Sequence, residues 1–365
     1  MSVTMRSQVK PDYAVPPGET LKEWLEENGM SQAALALRTG RPKKTINEII
    51  AGAAAITPET ALQLENVTGV PASFWNNAES NYRETLARLK EHESLLVDSE
   101  LKWASNFPYK ELVNRGLVPD VPTKDSKVKN LRRFFGVASS RQWEDTYLYE
   151  LCGAARESTA FKSNMYDLSA WLRIGELKAS GITCQPYDEK KFRSSLAVIR
   201  KLTTQDVSEQ SRLLPKLCSE CGVAFVLVAE LPKTHVSGFT RWLTSNKALI
   251  QQSLRHKRDD HLWFTFFHEA AHLLLHGRKE TFLEYKGKEN KKEDEANEWA
   301  RNYLIPLRDW NRFTSRYNGI FSEGIITSFA NDIEISPSIV LGRLQKEDYV
   351  PFSRFNSIYT SLKIV

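Results

Sequence analysis

Residues 263–277 read Trp263-Phe264-Thr265-Phe266-Phe267-His268-Glu269-Ala270-Ala271-His272-Leu273-Leu274-Leu275-His276-Gly277, one helix carrying the pattern H-E-x-x-H. Apolar residues recur at helical spacing, Asp259 and Asp260 stand where an N-cap is expected, and Gly277 suits a C-terminal stop. At about 100° per residue, His268 and His272 lie one turn apart on one face and can share a zinc ion. Glu269 then sits beside the metal without being forced to bind it. A catalytic zinc keeps three protein ligands and one open position, so one ligand remains to be found.

Glu293 to Pro306 reads as a second helix, stopped by Pro306, with Glu293, Asn297, Ala300 and Leu304 on one face. A carboxylate on a buried face is costly without a positive partner, and a metal supplies one. Glu293 is the third ligand expected, and Asn297, one turn on, is expected to bond the free nitrogen of a ligating histidine. Glu295 competes, but it lies about 200° around the helix and points away. His276 is a further candidate, although by then the first helix has turned about 80° from His268. His235, His256 and His261 have no motif context.

Upstream, Leu213 to Cys221 reads as a helix and Val223-Ala224-Phe225-Val226-Leu227-Val228 as a buried strand. Ser237 to Leu243 and Ala248 to Ile250 are expected as further strands of a small sheet. The strand at Gly238-Phe239 is placed to hold an extended peptide by edge pairing. H-E-x-x-H also arises by chance in helices that hold no metal; the second helix weighs against that reading. The order Val236-Ser237-Gly238-Phe239, His268 to His276, Glu293 to Pro306, Ile335 to Gln345 and Phe352 to Leu362 resembles the ImmA/IrrE family of zinc metallopeptidases. Ala270-Ala271 and Trp299 depart from its usual pattern without removing a ligand. The resemblance implies a minimal gluzincin-like domain in which Zn2+ sits on His268, His272 and Glu293 and Glu269 is the general base of peptide hydrolysis. No residue is assigned to the oxyanion beyond the metal.

The N-terminal text is a set of short helices: Glu19 to Asn28, Gln32 to Arg38 capped by Ser31, Pro42 to Ile50, one opened by Thr57-Pro58-Glu59, and one from Pro71 towards Leu89. Two short helices joined through a Gly-containing turn make a helix-turn-helix, whose second helix enters the major groove. Here that helix is Pro42 to Ile50, with Lys43, Lys44, Thr45 and Asn47 exposed and Ile46, Ile49 and Ile50 facing the core. Lys and Asn suit phosphate and base contacts. A solvated charged face at Arg38, Arg41, Lys43 and Lys44 is the plainer alternative. Pro17 to Leu21, Met30 to Ala36, Thr45 to Gly52, Ile56 to Leu64 and Phe74-Trp75 resemble the HigA-type antitoxin repressors of the Xre-like class, with Arg41-Pro42 a departure where a small polar cap is usual. The resemblance implies a homodimer on an inverted-repeat operator, with Gln32, Lys43, Lys44, Thr45 and Asn47 as DNA contacts.

The remaining features narrow the class. A hydrophobic fraction of 41% and a charged fraction of 26% are ordinary for a globular protein, and a net charge of +5 permits nucleic-acid binding without demanding it. No apolar run approaches a membrane span and Met1 to Val15 lacks a signal-peptide block, so a cytoplasmic protein with no membrane partner is expected. Cys152, Cys184, Cys218 and Cys221 are too few and scattered for a disulfide framework. Between 93 and 205 the text is helical without a catalytic pattern; Lys124 to Arg133 reads as a solvated face, and Trp143, Tyr147, Tyr149, Tyr166 and Trp171 as core.

These readings predict an α+β protein, mainly helical with a small sheet: a helix-turn-helix DNA-binding domain over 17–92, a helical connector over 93–205 and the metallopeptidase domain over 206–365. The function expected is a DNA-binding regulator that cleaves a regulatory protein or itself. The alternative is an antitoxin-type autorepressor whose protease-like domain only senses a ligand or binds a cognate toxin. A third reading is a protease that uses its N-terminal helices to bind protein.

Overall fold

The computed structural model describes residues 13–148, 159–232, 234–276, 282–283, 291–317 and 319–363. It divides into two compact units, Met1–Lys102 with Thr123–Lys129, and Trp103–Pro122 with Asn130–Val365.

The first unit is built from α1 (Pro17–Glu27), α2 (Gln32–Thr39), α3 (Lys43–Ile50), α4 (Pro58–Thr68) and α5 (Ala72–Leu95). Their starts follow from local chemistry: the Ser31 hydroxyl accepts from Ala34 N at 3.1 Å and the Thr57 hydroxyl from Thr60 N at 3.3 Å. Gly40 ends α2 at φ 68°, a left-handed conformation that costs a side-chain-bearing residue steric strain. Pro42, expected as a first helical residue, is instead the N-cap of α3 with ψ 139°, so the helix begins at Lys43. Leu21, Leu35, Ile46, Ala61, Leu64 and Trp75 are fully buried and form the core.

The chain continues through α6 (Asp98–Ser105), α7 (Tyr109–Asn114), α8 (Lys124–Phe135), α9 (Ser140–Trp143), a π turn over Glu144–Leu148, α10 (Thr159–Ser180), α11 (Glu189–Leu202) and α12 (Val207–Ser219). Trp143, Tyr147 and Trp171 are buried as expected, and Trp143 stacks on Tyr166 with centroids 5.0 Å apart; Tyr149 and Cys152 lie outside the described residues. The remaining three cysteines are free, with Cys218 and Cys221 buried.

The expected connector over 93–205 is not a separate body. Trp171 Nε1 donates to Val228 O at 2.9 Å, Gln251 Nε2 donates to Trp171 O at 2.8 Å, and Arg115 bonds the carbonyls of Ala229 and Glu230. Phe192, Leu196 and Ile199 of α11 share one apolar cluster with Trp263 and Phe266. An amphipathic helix must bury its apolar face against something, and α10 and α11 bury theirs in the unit that carries the H-E-x-x-H helix, whereas residues 93–102 and 123–129 belong to the first unit.

The sheet has the order β1-β3-β2-β4: β1 (Val223–Leu227) runs parallel to β3 (Lys247–Gln252), β2 (Gly238–Thr244) antiparallel to β3, and β4 (Phe282–Leu283) antiparallel to β2. Alternate residues face opposite sides. Gln251 points to α10, whereas Phe225 and Ile250 join Trp263 and Phe266 on the side of the following helix. At Phe239 and Thr240 the free edge of β2 is taken by β4, which corrects the expectation that a peptide pairs there.

Helix α13 (Asp259–Leu275) carries H-E-x-x-H and α14 (Lys291–Leu304) follows it, ending before Pro306. Arg258, with no side-chain cap, is the N-cap position of α13 rather than Asp259 or Asp260, and Gly277 lies outside the described residues. Asp259 is buried in the first turn, where it accepts from Ser338 Oγ at 2.6 Å and Thr360 N at 2.9 Å while its own N–H donates to Thr360 O at 3.1 Å. Leu362 N donates to Lys257 O at 2.8 Å, so residues 360–362 lie along the start of the helix. Helices α15 (Leu307–Tyr317), α16 (Glu323–Asp332) and α17 (Pro337–Lys346) complete the unit. No helix among the described residues is long and apolar enough to cross a membrane.

Candidate functional site

One turn of α13 and the first turn of α14 bring three donors together. His268 Nε2 and His272 Nε2 are 3.0 Å apart, Glu293 Oε2 is 3.1 Å from the first and Oε1 3.4 Å from the second. Donors of a tetrahedral zinc site with bonds of about 2.0–2.1 Å stand about 3.3 Å apart, so the three separations bracket the figure for zinc and the residues fit the ion. The imidazoles are buried, and Glu293 is 20% exposed, leaving the group an open side. Burial pushes the His272 imidazole down to about 4. Burial alone raises the Glu293 carboxyl, but hydrogen bonding to His268 and His272 outweighs it and holds the group at about 2. Both are thereby in their metal-binding protonation states at neutral pH.

Glu269, 1% exposed, projects from the same helix towards β2. Thr240 Oγ1 donates to Glu269 O at 3.3 Å. At Gly238 the approach is closer: a Cβ there would stand 2.3 Å from Glu269 Oε1 and 2.6 Å from Thr265 Cγ2. A glycine inside a strand pattern is the sequence signal for such an approach, and nothing in the sequence alone says which carboxylate fills it. Gly238→Ala is expected to displace the Glu269 carboxylate and to destabilise the unit by about 1–3 kcal/mol, the usual cost of overpacking. Thermal and denaturant unfolding of the variant check this.

The other expected residues are not all brought to the site. Asn297 is half-buried one turn beyond Glu293, yet among the described hydrogen bonds none joins it to either imidazole, so the role expected for it has no contact behind it. His276 Nε2 lies 3.2 Å from Lys292 O and is outside the three-donor group. Glu295 is exposed and lines an open groove with Leu275, Trp299 and Tyr303. His256 and His261 stack on each other, with centroids 4.0 Å apart, and neither belongs to the three-donor group.

On α3, Lys43, Lys44 and Asn47 are exposed, whereas Thr45 is half-buried and so is Gln32 on α2. Ile46 and Ile49 are buried and Ile50 only partly so. Lys44 lies 3.7 Å from Glu48. Arg41 differs from the charged face read in the sequence: its Nε donates to Gln63 Oε1 at 2.7 Å and its Nη2 pairs with Glu59 at 3.1 Å, tying the turn to α4.

Fold and site together define a helix-turn-helix DNA-binding domain joined in one chain to a metallopeptidase-like domain. Residues 21–75 match the helix-turn-helix family and residues 226–345 match the IrrE N-terminal-like domain, a peptidase family. Among solved structures, the chain is similar to an addiction module antidote protein of the HigA family from Coxiella burnetii, with 31% identity over 22% of this chain and 90% of that one and a TM-score of 0.21. It is also similar to the Pseudomonas aeruginosa antitoxin HigA, solved with the higBA promoter, with 29% identity over 23% of this chain and 92% of that one and a TM-score of 0.22. No curated protein matched the chain.

Proposed function

We propose that the protein is a DNA-binding transcriptional regulator whose second domain is a zinc-dependent endopeptidase acting on a regulatory protein or on the chain itself. The observation that carries this is the His268, His272 and Glu293 group with Glu269 beside it. Zinc held there supplies Lewis acidity, polarising a peptide carbonyl and making water nucleophilic at neutral pH. Glu269 takes the proton of the attacking water and passes it to the leaving amine. His268, His272 and Glu293 would hold the ion from two helices whose packing sets their spacing. Stoichiometric zinc in the purified protein, with cleavage lost in Glu269→Gln, is the expected result. No zinc, together with a Glu269→Gln variant that matches the wild type in cleavage and repression, overturns the enzymatic half and leaves an autorepressor.

The recognition helix is α3, and the DNA is a double-stranded operator read by a homodimer. Lys43→Ala combined with Lys44→Ala is expected to weaken operator binding and to flatten its salt dependence by up to about 3.6 in the log–log slope of the dimer, about 0.9 for each phosphate no longer neutralised by a lysine. Binding titrations at several salt concentrations measure both quantities. An unchanged slope moves the DNA surface elsewhere.

A further inference from the structure

Gln252, the last residue of β3, is 0% exposed, and among the described residues neither Nε2 nor Oε1 of its carboxamide has a hydrogen-bond partner. A buried amide left in that state is destabilising. Its neighbour Gln251 faces the other way and donates to Trp171 O, so the two successive glutamines have opposite surroundings.

Strand register fixes the direction in which Gln252 points. It stands directly opposite Gly238 across the antiparallel β2/β3 pair, and residues directly opposite share a face. On that face Thr240 reaches Glu269 O, and Ile250 packs with Trp263 and Phe266 of α13. A Cβ on Gly238 would stand 2.3 Å from Glu269 Oε1. Cross-strand Cβ atoms are about 4.5–5.5 Å apart, which puts Gln252 Cβ within about 8 Å of that oxygen. The three bonds from Cβ to the amide nitrogen of a glutamine cover about half of this distance, and one bridging water spans the rest. Because position 238 has no side chain, nothing on β2 stands between them.

We propose that Gln252 is a positioning residue for Glu269: its carboxamide N–H, through one buried water, orients the carboxylate that faces Gly238. The inference rests on the peptidase reading for its consequence in turnover, but not for the contact itself. Gln252 does not touch substrate in this arrangement; it acts through Glu269.

The test uses the full-length zinc-loaded protein and Gln252→Leu, which keeps the volume and removes the amide. The side-chain NH2 resonances of Gln252, assigned by their disappearance in Gln252→Leu, are expected to move upfield and exchange faster with solvent in Glu269→Gln, where the charged acceptor is gone. Gln252→Leu is expected to keep its zinc, to melt at the same temperature or higher, and to lose turnover by about 10²-fold with KM little changed, whereas Gln252→Asn recovers part of the loss. NH2 resonances indifferent to Glu269→Gln, a lower melting temperature, or wild-type turnover in Gln252→Leu each overturn the inference. The two readings fail separately. If the wild type cleaves nothing while the NH2 resonances respond to Glu269→Gln, the peptidase reading falls and the contact stands. If the wild type cleaves and Gln252→Leu cleaves equally well, the reverse holds.

Discussion

Glu269→Gln is expected to keep zinc at wild-type stoichiometry and to lose about 10²–10⁴-fold in cleavage, the range that a positioned general base contributes. Glutamine has nearly the same shape, so the close approach to Gly238 persists, and the substitution leaves the three donors on His268, His272 and Glu293 untouched. What disappears is the capacity to take a proton from water and return it to the leaving amine. Folding is not expected to suffer, because a neutral amide costs less to bury than a carboxylate. Metal analysis, melting temperature and cleavage rate measured on one preparation separate these effects. A variant that cleaves at the wild-type rate would assign the proton transfer to another group.

The second large effect is expected at the ligands. His272→Ala leaves His268 and Glu293 to hold the ion, and the chain is expected to purify without zinc and without cleavage. For the wild type, free zinc at a thousand times its dissociation constant stabilises the fold by about 4 kcal/mol. Adding a chelator is therefore expected to lower the wild-type melting temperature and to leave that of His272→Ala unmoved. Operator binding is expected to survive in His272→Ala, because the first unit has a core of its own in Leu21, Leu35, Ile46, Leu64 and Trp75. A zinc-dependent melting shift that persists in the variant would place the ion elsewhere.

Much of this site is legible in the sequence because helical geometry is local. The four-residue step from His268 to His272 and the face shared by Glu293 and Ala300 need only the angle per residue, and the structure brings those donors within 4.8 Å of one another. The same angle puts Glu295 on the far side, where it is exposed. Longer-range partners are a different matter. Arg41 reads as surface charge, yet it bonds Gln63, 22 residues on, because α4 returns beside the turn. The segment over 93–205 shows amphipathic helices, but an apolar stripe does not say what it packs against, and only the structure puts Trp171 and Phe192 in the unit of the H-E-x-x-H helix. β4 is two residues long, too short for any alternation to register. Asn297 fails for a related reason: sharing a face with Glu293 sets a direction, not a contact.

The first turn of α13 has a consequence for the order in which the protein becomes competent during its synthesis. The opening N–H groups of a helix need acceptors from outside it, and here the Asp259 N–H is met by the carbonyl of Thr360, while Asp259 Oδ1 accepts from Thr360 N, a partner 101 residues downstream. Chains emerge from the ribosome N-terminal end first, and domains fold as units. The helix-turn-helix core is complete once Trp75 has emerged, whereas the helix bearing His268 and His272 lacks its outer brace until residue 360 is made. A nascent chain can therefore complete its helix-turn-helix core well before the helix bearing His268 and His272 is braced.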